Sequence, residues 1–263
     1  MTLLMFVVTA LLGVVVGILS GMFGIGGGTV MIPLLHLLLR QPILTSTATS
    51  LFVIAPTAAS GTFRHIRQGS VDVRAAVVIG LAGALACTVG SLVSDMLPGI
   101  AVAGLAACVI LYSAVSIVRR PVDGPLGEEG AAPPSRFAAG RLRLLLCAAL
   151  GLVAGLVAGI VGVGGGFVIV PVGIAYLGFS FKEASGTSLL AIALIAVPGT
   201  VAHALLGHVW YLGGLALMIG SIPGAYLGAR LVDRMPERAA RLAFAGLLAL
   251  SACLVVFNEL SGS

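Results

Sequence analysis

Gly17–Pro33 reads GILSGMFGIGGGTVMIP, and Gly155–Pro171 reads GLVAGIVGVGGGFVIVP. The two stretches lie 138 positions apart. Gly17, Gly21, Gly24, Gly26, Gly27, Gly28 and Pro33 meet Gly155, Gly159, Gly162, Gly164, Gly165, Gly166 and Pro171 without a gap. The same offset aligns Thr49-Ser50-Leu51 with Thr187-Ser188-Leu189, Gly61-Thr62 with Gly199-Thr200, and His65 with His203. It also aligns Gly90, Asp95 and Pro98 with Gly228, Asp233 and Pro236. An ungapped register over most of each half marks one unit used twice.

Composition sets the class. The 263 residues are 59% hydrophobic and 9% charged, with a mean hydropathy of +1.19. A soluble domain carries about 25% charged residues. Most of the chain falls into apolar runs of about 18 to 25 residues, the length that crosses a bilayer core. The alternating segments of a membrane β-barrel are absent. The expected fold is therefore an all-α polytopic membrane protein in which glycines break some of the helices. A net charge of +5 does not argue for nucleic acid, because the basic residues sit in short loops between apolar runs, where topology accounts for them. Cys87, Cys108, Cys147 and Cys253 are scattered through apolar runs with no metal-ligand spacing, so they read as small core residues and no metal is expected. The N-terminal MTLLMFVVTALLGVVVG has no basic region before its apolar run and reads as a retained first helix.

Residues 3–23 make that helix. Gly24–Gly28 breaks it, because each glycine costs about 1 kcal/mol in a helix interior. Thr29–Leu39 is apolar but short, either a tilted span or a half-helix. Ile43–Phe63, Val73–Ser94 and Gly99–Val118 follow as spans. Arg119–Arg143 is rich in proline, glycine and charge and reads as a linker. The second half repeats the pattern: Leu144–Val161, a break at Gly162–Gly166, the short Phe167–Leu177, then Ala184–Leu206, Val209–Ala229 and Ala239–Phe257. The expected organisation is a first transmembrane repeat at 1–118, a cytoplasmic polar linker at 119–143 and a second repeat at 144–263, with eight to ten membrane segments in all.

Charge orients the chain. With the linker inside, thirteen of the fourteen basic residues fall inside and Arg40 alone falls outside, a strong positive-inside bias. Both termini are then outside. Each repeat crosses an odd number of times, so the second enters upside down. Inverted-topology repeats with helices broken at matching places are a transporter signature, with the substrate near the midplane.

The motifs carry the chemistry. A helix starting at GIGGG presents unpaired backbone N–H groups and a partial positive charge, an anion site without a charged side chain. Irregular backbone at membrane depth is tolerated only where it is buried in protein or lines a cavity. Gly26, Gly27, Gly28 and Thr29 would thus face Gly164, Gly165, Gly166 and Phe167 across one cavity. The rival reading is packing, which suits the GxxxG pairs Gly17/Gly21 and Gly155/Gly159 better. Thr49, Ser50, Thr187 and Ser188 supply hydroxyls that donate to an oxyanion or bond back to a carbonyl one turn earlier; the sequence leaves both open. Thr62 and Thr200 are weaker candidates of the same kind. His65 and His203 end the same helix in each half, as proton-coupling candidates or as interfacial caps. His36 and His208 have no histidine partner in the register. Lys182-Glu183 reads as a local pair, and Asp95 and Asp233 as interfacial turn residues. No acidic residue sits deep in a span, which argues against a carboxylate-based cation pump. A dinucleotide fingerprint is excluded by context, and no HExxH, GxSxG or paired carboxylates point to an enzyme.

The duplicated Gly-x-Gly-Gly-Gly-x4-Pro pattern in so apolar a chain resembles the TauE/SafE family of membrane proteins, also called the sulfite exporter or TSUP family. Both copies are intact, Gly24-Ile25-Gly26-Gly27-Gly28 to Pro33 and Gly162-Val163-Gly164-Gly165-Gly166 to Pro171, and Thr49-Ser50 and Gly186-Thr187-Ser188 also look like the family. The resemblance covers essentially the whole chain. It implies an inner-membrane secondary transporter, working as an exporter, of a small anion such as sulfite, sulfoacetate or another organosulfonate. No cofactor is expected. Coupling to H+ or Na+, and assembly into oligomers, are compatible with the sequence. A passive anion channel, or a carrier of a non-sulfur organic anion, would use the same donors.

Overall fold

The structure, a computed structural model, describes residues 3–98, isolated positions between 101 and 111, and residues 140–261. Most of the expected span Gly99–Val118, and the linker up to residue 139, lie outside the described residues. Among the described residues the fold is helical and has no strand. Helix α1 is Leu3–Phe23, α2 Gly28–Pro33, α3 Ile43–Arg67, α4 Val73–Met96, α5 Arg141–Val161, α6 Gly166–Val172, α7 Phe181–Leu205, α8 Tyr211–Val232 and α9 Glu237–Ser261. Six of these (α1, α3, α4, α5, α7 and α8) are long and apolar enough to cross a membrane. That is fewer than the eight to ten segments expected. The difference lies in the two short pieces after the breaks, in Gly99–Val118 and in α9.

The short pieces have a common build. Gly27 (φ 87°) and Gly165 (φ 78°) cap α2 and α6 in the left-handed region, which a β-carbon would strain. Pro33 and Pro171 then sit near the ends of α2 and α6. A proline has no N–H to donate and its ring crowds the preceding turn. Each helix accordingly widens into one π turn, Leu34–Leu38 and Gly173–Leu177. A run of about eleven residues rises about 16 Å, roughly half the hydrocarbon thickness.

The long helices are fastened by polar caps where the chain turns. Asp72 Oδ1 accepts from Ala75 N at 2.9 Å to start α4. Ser180 Oγ accepts from Glu183 N at 3.2 Å to start α7, the Ser-x-x-Glu spacing of a helix start. Helices α3 and α7 run past the apolar stretches expected for them, taking in Arg64–Arg67 and Phe181–Glu183. Helix α5 likewise begins at Arg141, inside the stretch assigned to the linker.

Small residues decide which helices touch. Gly13, Gly17 and Gly21 of α1 lie against the backbone of Leu217, Ser221 and Ala225 of α8, so that a methyl at any of them would collide. Gly151, Gly155 and Gly159 of α5 lie in the same way against Ile79, Gly83 and Cys87 of α4. The second set is the first moved by 138 positions with the partners exchanged. Lipid tails are as apolar as leucine, so such close backbone approach replaces the hydrophobic effect as the force between helices. In both pairs the residue numbers rise together, so α1 runs parallel to α8 and α4 parallel to α5. Helix α3 runs parallel to α8 as well, through Thr57–Ser221 and Gln68–Ala229. An aromatic cluster of Phe23, Phe181 and Phe244, with centroids 5.7–6.4 Å apart, joins α1, α7 and α9. Leucines and isoleucines such as Leu11, Leu85, Leu145 and Ile219 stay exposed around the outside, where a bilayer would cover them.

Candidate functional site

The two breaks meet in the middle of the molecule. Helix α1 ends with Gly24 N donating to Ser20 O at 2.9 Å, and α5 ends with Gly162 N donating to Ala158 O at 2.7 Å. The next helices begin with Met31 N on Gly27 O at 2.9 Å and Ile169 N on Gly165 O at 3.1 Å. The breaks themselves lie back to back. A methyl on Gly28 would stand 2.6 Å from Val163 Cα, and one on Gly166 would stand 2.7 Å from Ile25 Cα. Gly26 and Gly164 both rest on the side chains of Ile54 and Ile192, the middle residues of α3 and α7. Gly21–Thr29 and Val161–Phe167 are buried throughout. The sequence reading put a cavity between the two segments. In this conformation they touch instead.

The predicted hydroxyls divide by what they already do. Thr49 Oγ1 accepts from Trp210 N, and Thr187 Oγ1 accepts from Asp72 N, each at 3.0 Å. Trp210 and Asp72 are the N-cap positions of α8 and α4, so each threonine holds the start of a helix from the other half. Ser188 Oγ donates to Gly24 O at 2.8 Å and ties α7 to the first break. Ser50, its partner in the register, is buried with no partner for its hydroxyl, and so is Thr29. Three hydroxyls that the sequence reading did not single out, those of Ser20, Ser91 and Ser185, share this state. Ser20 lies beside Gly27 and Ser185 beside Gly24. The register offered a signal for Ser185, which stands where Thr47 stands in the first half; Thr47 Oγ1 donates to Val161 O at 3.2 Å. Thr62 and Thr200 also lack partners for their hydroxyls.

His65 is fully buried. Its Nε2 lies 3.1 Å from Gly21 O and its Nδ1 2.9 Å from Ser70 Oγ. A carbonyl only accepts, so Nε2 carries a proton, while the Ser70 hydroxyl beside Nδ1 also reaches His65 O at 3.2 Å. The ring thereby ties the end of α3 to the turn of α1 just before the break. His203 is equally buried, and its ring centroid is 6.0 Å from that of His208, which occupies the place of Ser70 in the register. His36 Nδ1 pairs locally with Gln41 O at 2.7 Å.

Charged side chains gather at the ends of the helices. Asp233 Oδ2 accepts from Gln68 Nε2 and lies 3.8 Å from Arg64. Lys182 Nζ donates to Asp233 O at 2.9 Å, which corrects the expectation of a local pair with Glu183: the long lysine side chain reaches the carbonyl at the end of α8 instead. Arg143 pairs with Asp72 at 2.8 Å. The contacts of Asp233 with Gln68 and Arg64, and of Arg143 with Asp72, cross between the halves on one face of the molecule. On the opposite face, Trp210–Thr49 is the matching link. Among the described residues no group of three or more His, Cys, Asp or Glu is placed to hold a metal.

Comparison with known proteins agrees with this architecture. The family model described as "Sulfite exporter TauE/SafE" matches residues 9–255. The probable membrane transporter protein YdhB of Bacillus subtilis is 29% identical over 92% of this chain and 96% of its own length. YunE of the same organism, also a probable membrane transporter protein, is 26% identical over 96% and 98%. A probable membrane transporter protein of Methanocaldococcus jannaschii is 24% identical over 90% of each chain. No solved structure matches.

Proposed function

Because the chain belongs to the sulfite exporter TauE/SafE family of membrane transporters, we propose that it is a secondary transporter, working as an exporter, of small anions such as sulfite, sulfoacetate or another organosulfonate. The observation that carries the proposal is the meeting of two glycine breaks on Ile54 and Ile192, halfway along the two central helices. Gly26, Gly27, Gly28 and Thr29, with Gly164, Gly165 and Gly166, would offer backbone N–H groups to the anion. Thr49, Ser50, Thr187 and Ser188 would add hydroxyls. Ser50 and Thr29 are the strongest of the side chains, since a buried hydroxyl left unbonded costs about 1–3 kcal/mol that a bound oxyanion would repay.

In this reading 1–118 and 144–263 are inverted repeats of an inner-membrane protein, with eight to ten segments, a cytoplasmic linker and both termini outside. Helix direction supports the inversion. Helices α1, α3 and α8 run together, while α4, which returns from α3 through a short turn, runs with α5. The equivalent helices α1 and α5 therefore point oppositely. Transport proceeds by alternating access: the touching, buried breaks are the occluded state, and the halves rock to open one face at a time. His65 and His203 are the candidate proton carriers, with H+ or Na+ as coupling ion.

Flux into proteoliposomes tests the proposal, with sulfite, thiosulfate, sulfoacetate, sulfate or a plain carboxylate as solute and with or without a pH gradient. Saturable uptake that is accelerated by the same anion on the far side is expected, and Ser50→Ala and Thr29→Val should reduce it. Non-saturable flux without counterflow would mean a channel. No flux of any anion would overturn the proposal.

A further inference from the structure

A groove of about 350 Å³ lies on the outer surface between α1 and α8, lined by Ile18, Leu227, Leu231, Arg230 and Arg234. Its composition is split. Ile18, Leu227 and Leu231 form its apolar wall, with both leucines exposed. Arg230 stands in the last turn of α8 and Arg234 in the turn just past its end, and both line the groove. Among the described residues neither guanidinium has a carboxylate partner. The acidic residue between them, Asp233, is turned into the protein toward Gln68 and Arg64. Glu237, further on, is taken up by Arg241 and by Phe181 N. The outward groove is thus positive at one end and apolar at the other.

We infer that this groove binds one anionic phospholipid of the surrounding bilayer, its phosphate on Arg230 and Arg234 and an acyl chain along Ile18, Leu227 and Leu231. The chemistry favours a lipid over a soluble anion. A free oxyanion gains nothing from the leucine wall, whereas a phosphodiester with an acyl chain uses both ends. Basic pockets at the end of membrane helices take acidic headgroups for this reason, and guanidinium matches phosphate by paired hydrogen bonds. The site also has a mechanical meaning. It bridges α1 of the first half and α8 of the second along the seam where Gly17 and Gly21 pack.

The test uses the purified full chain in detergent. Thermal unfolding is followed on adding dioleoylphosphatidylglycerol, dioleoylphosphatidylcholine or sodium sulfate, and native mass spectrometry counts retained lipid. The phosphatidylglycerol is expected to raise the midpoint of the wild type and of Arg74→Gln, an exposed control. In Arg230→Gln/Arg234→Gln the concentration needed should rise about tenfold or more. Arg230→Lys/Arg234→Lys, which keeps the charge, should still respond and remains informative if the glutamine variant does not fold. An equal effect of phosphatidylcholine, an undiminished effect in the glutamine variant, or the same effect from sulfate alone would overturn the inference.

Discussion

Ser50 and Ser188 occupy the same place in the two halves, yet Ser188 spends its hydroxyl on Gly24 O while Ser50 has nothing to bond. If Ser50 is kept for a substrate, removing its hydroxyl will not weaken the fold. Ser50→Ala is expected to leave unfolding in denaturant within about 0.5 kcal/mol of the wild type, or slightly more stable, while anion flux falls. A large loss of stability would make Ser50 a structural residue. Gly155 predicts the reverse. It lies flat on the Gly83 backbone, so Gly155→Val must push α4 and α5 apart, at a cost of about 3 kcal/mol or more, read as a lower unfolding midpoint in the same assay. The glycines of the breaks are poor sites for such a test. A β-branched residue at Gly27 or Gly165 meets a left-handed backbone and would disturb folding and binding together.

At the level of elements, Thr49 and Thr187 act as caps for helices that belong to the other half. Thr49→Val and Thr187→Val each strand a backbone N–H, of Trp210 or Asp72, and each should cost about 1–3 kcal/mol. Hydrogen exchange at the start of α8 or α4 would show the loss locally, with the rest of the chain unchanged. The same elements mark what the sequence could and could not reveal. Residues 3–23 were readable to their ends because an apolar run stops at a run of glycines. The ends of α3 and α7 were not, since hydropathy reports where the bilayer stops, and Arg64–Arg67 continue the helix beyond it. The candidate hydroxyls were legible as a repeated Thr-Ser pair, but their division into caps and unbonded groups was not. That division depends on Trp210, Asp72 and Gly24, far away along the chain. Ser20 escaped notice because its place in the second half is held by Ala158.

For the molecule as a whole, the two faces are closed unequally. Asp233 with Arg64 and Gln68, and Asp72 with Arg143, bind the halves together on the basic face. Replacing both carboxylates, by Asp72→Asn and Asp233→Asn, should loosen that face without removing the α4 cap, since asparagine caps as well as aspartate. Ser185→Cys, introduced after replacing Cys87, Cys108, Cys147 and Cys253, reports on it from beside Gly24. A water-soluble maleimide is expected to label it about fivefold faster or more in the asparagine variant. An unchanged rate would mean that the ion pairs do not hold the face shut.

The exchanged glycine seams bear on how the chain is made. Among the described residues the small face of α1 finds its complement in α8, which leaves the ribosome about 200 residues later, and α5 finds its own in α4 of the earlier half. Neither half can therefore finish packing by itself. Helix α1 must wait in the bilayer with its glycine stripe uncovered until α8 arrives. Synthesised as two separate polypeptides, the halves should be degraded when made singly and recover one another when made together.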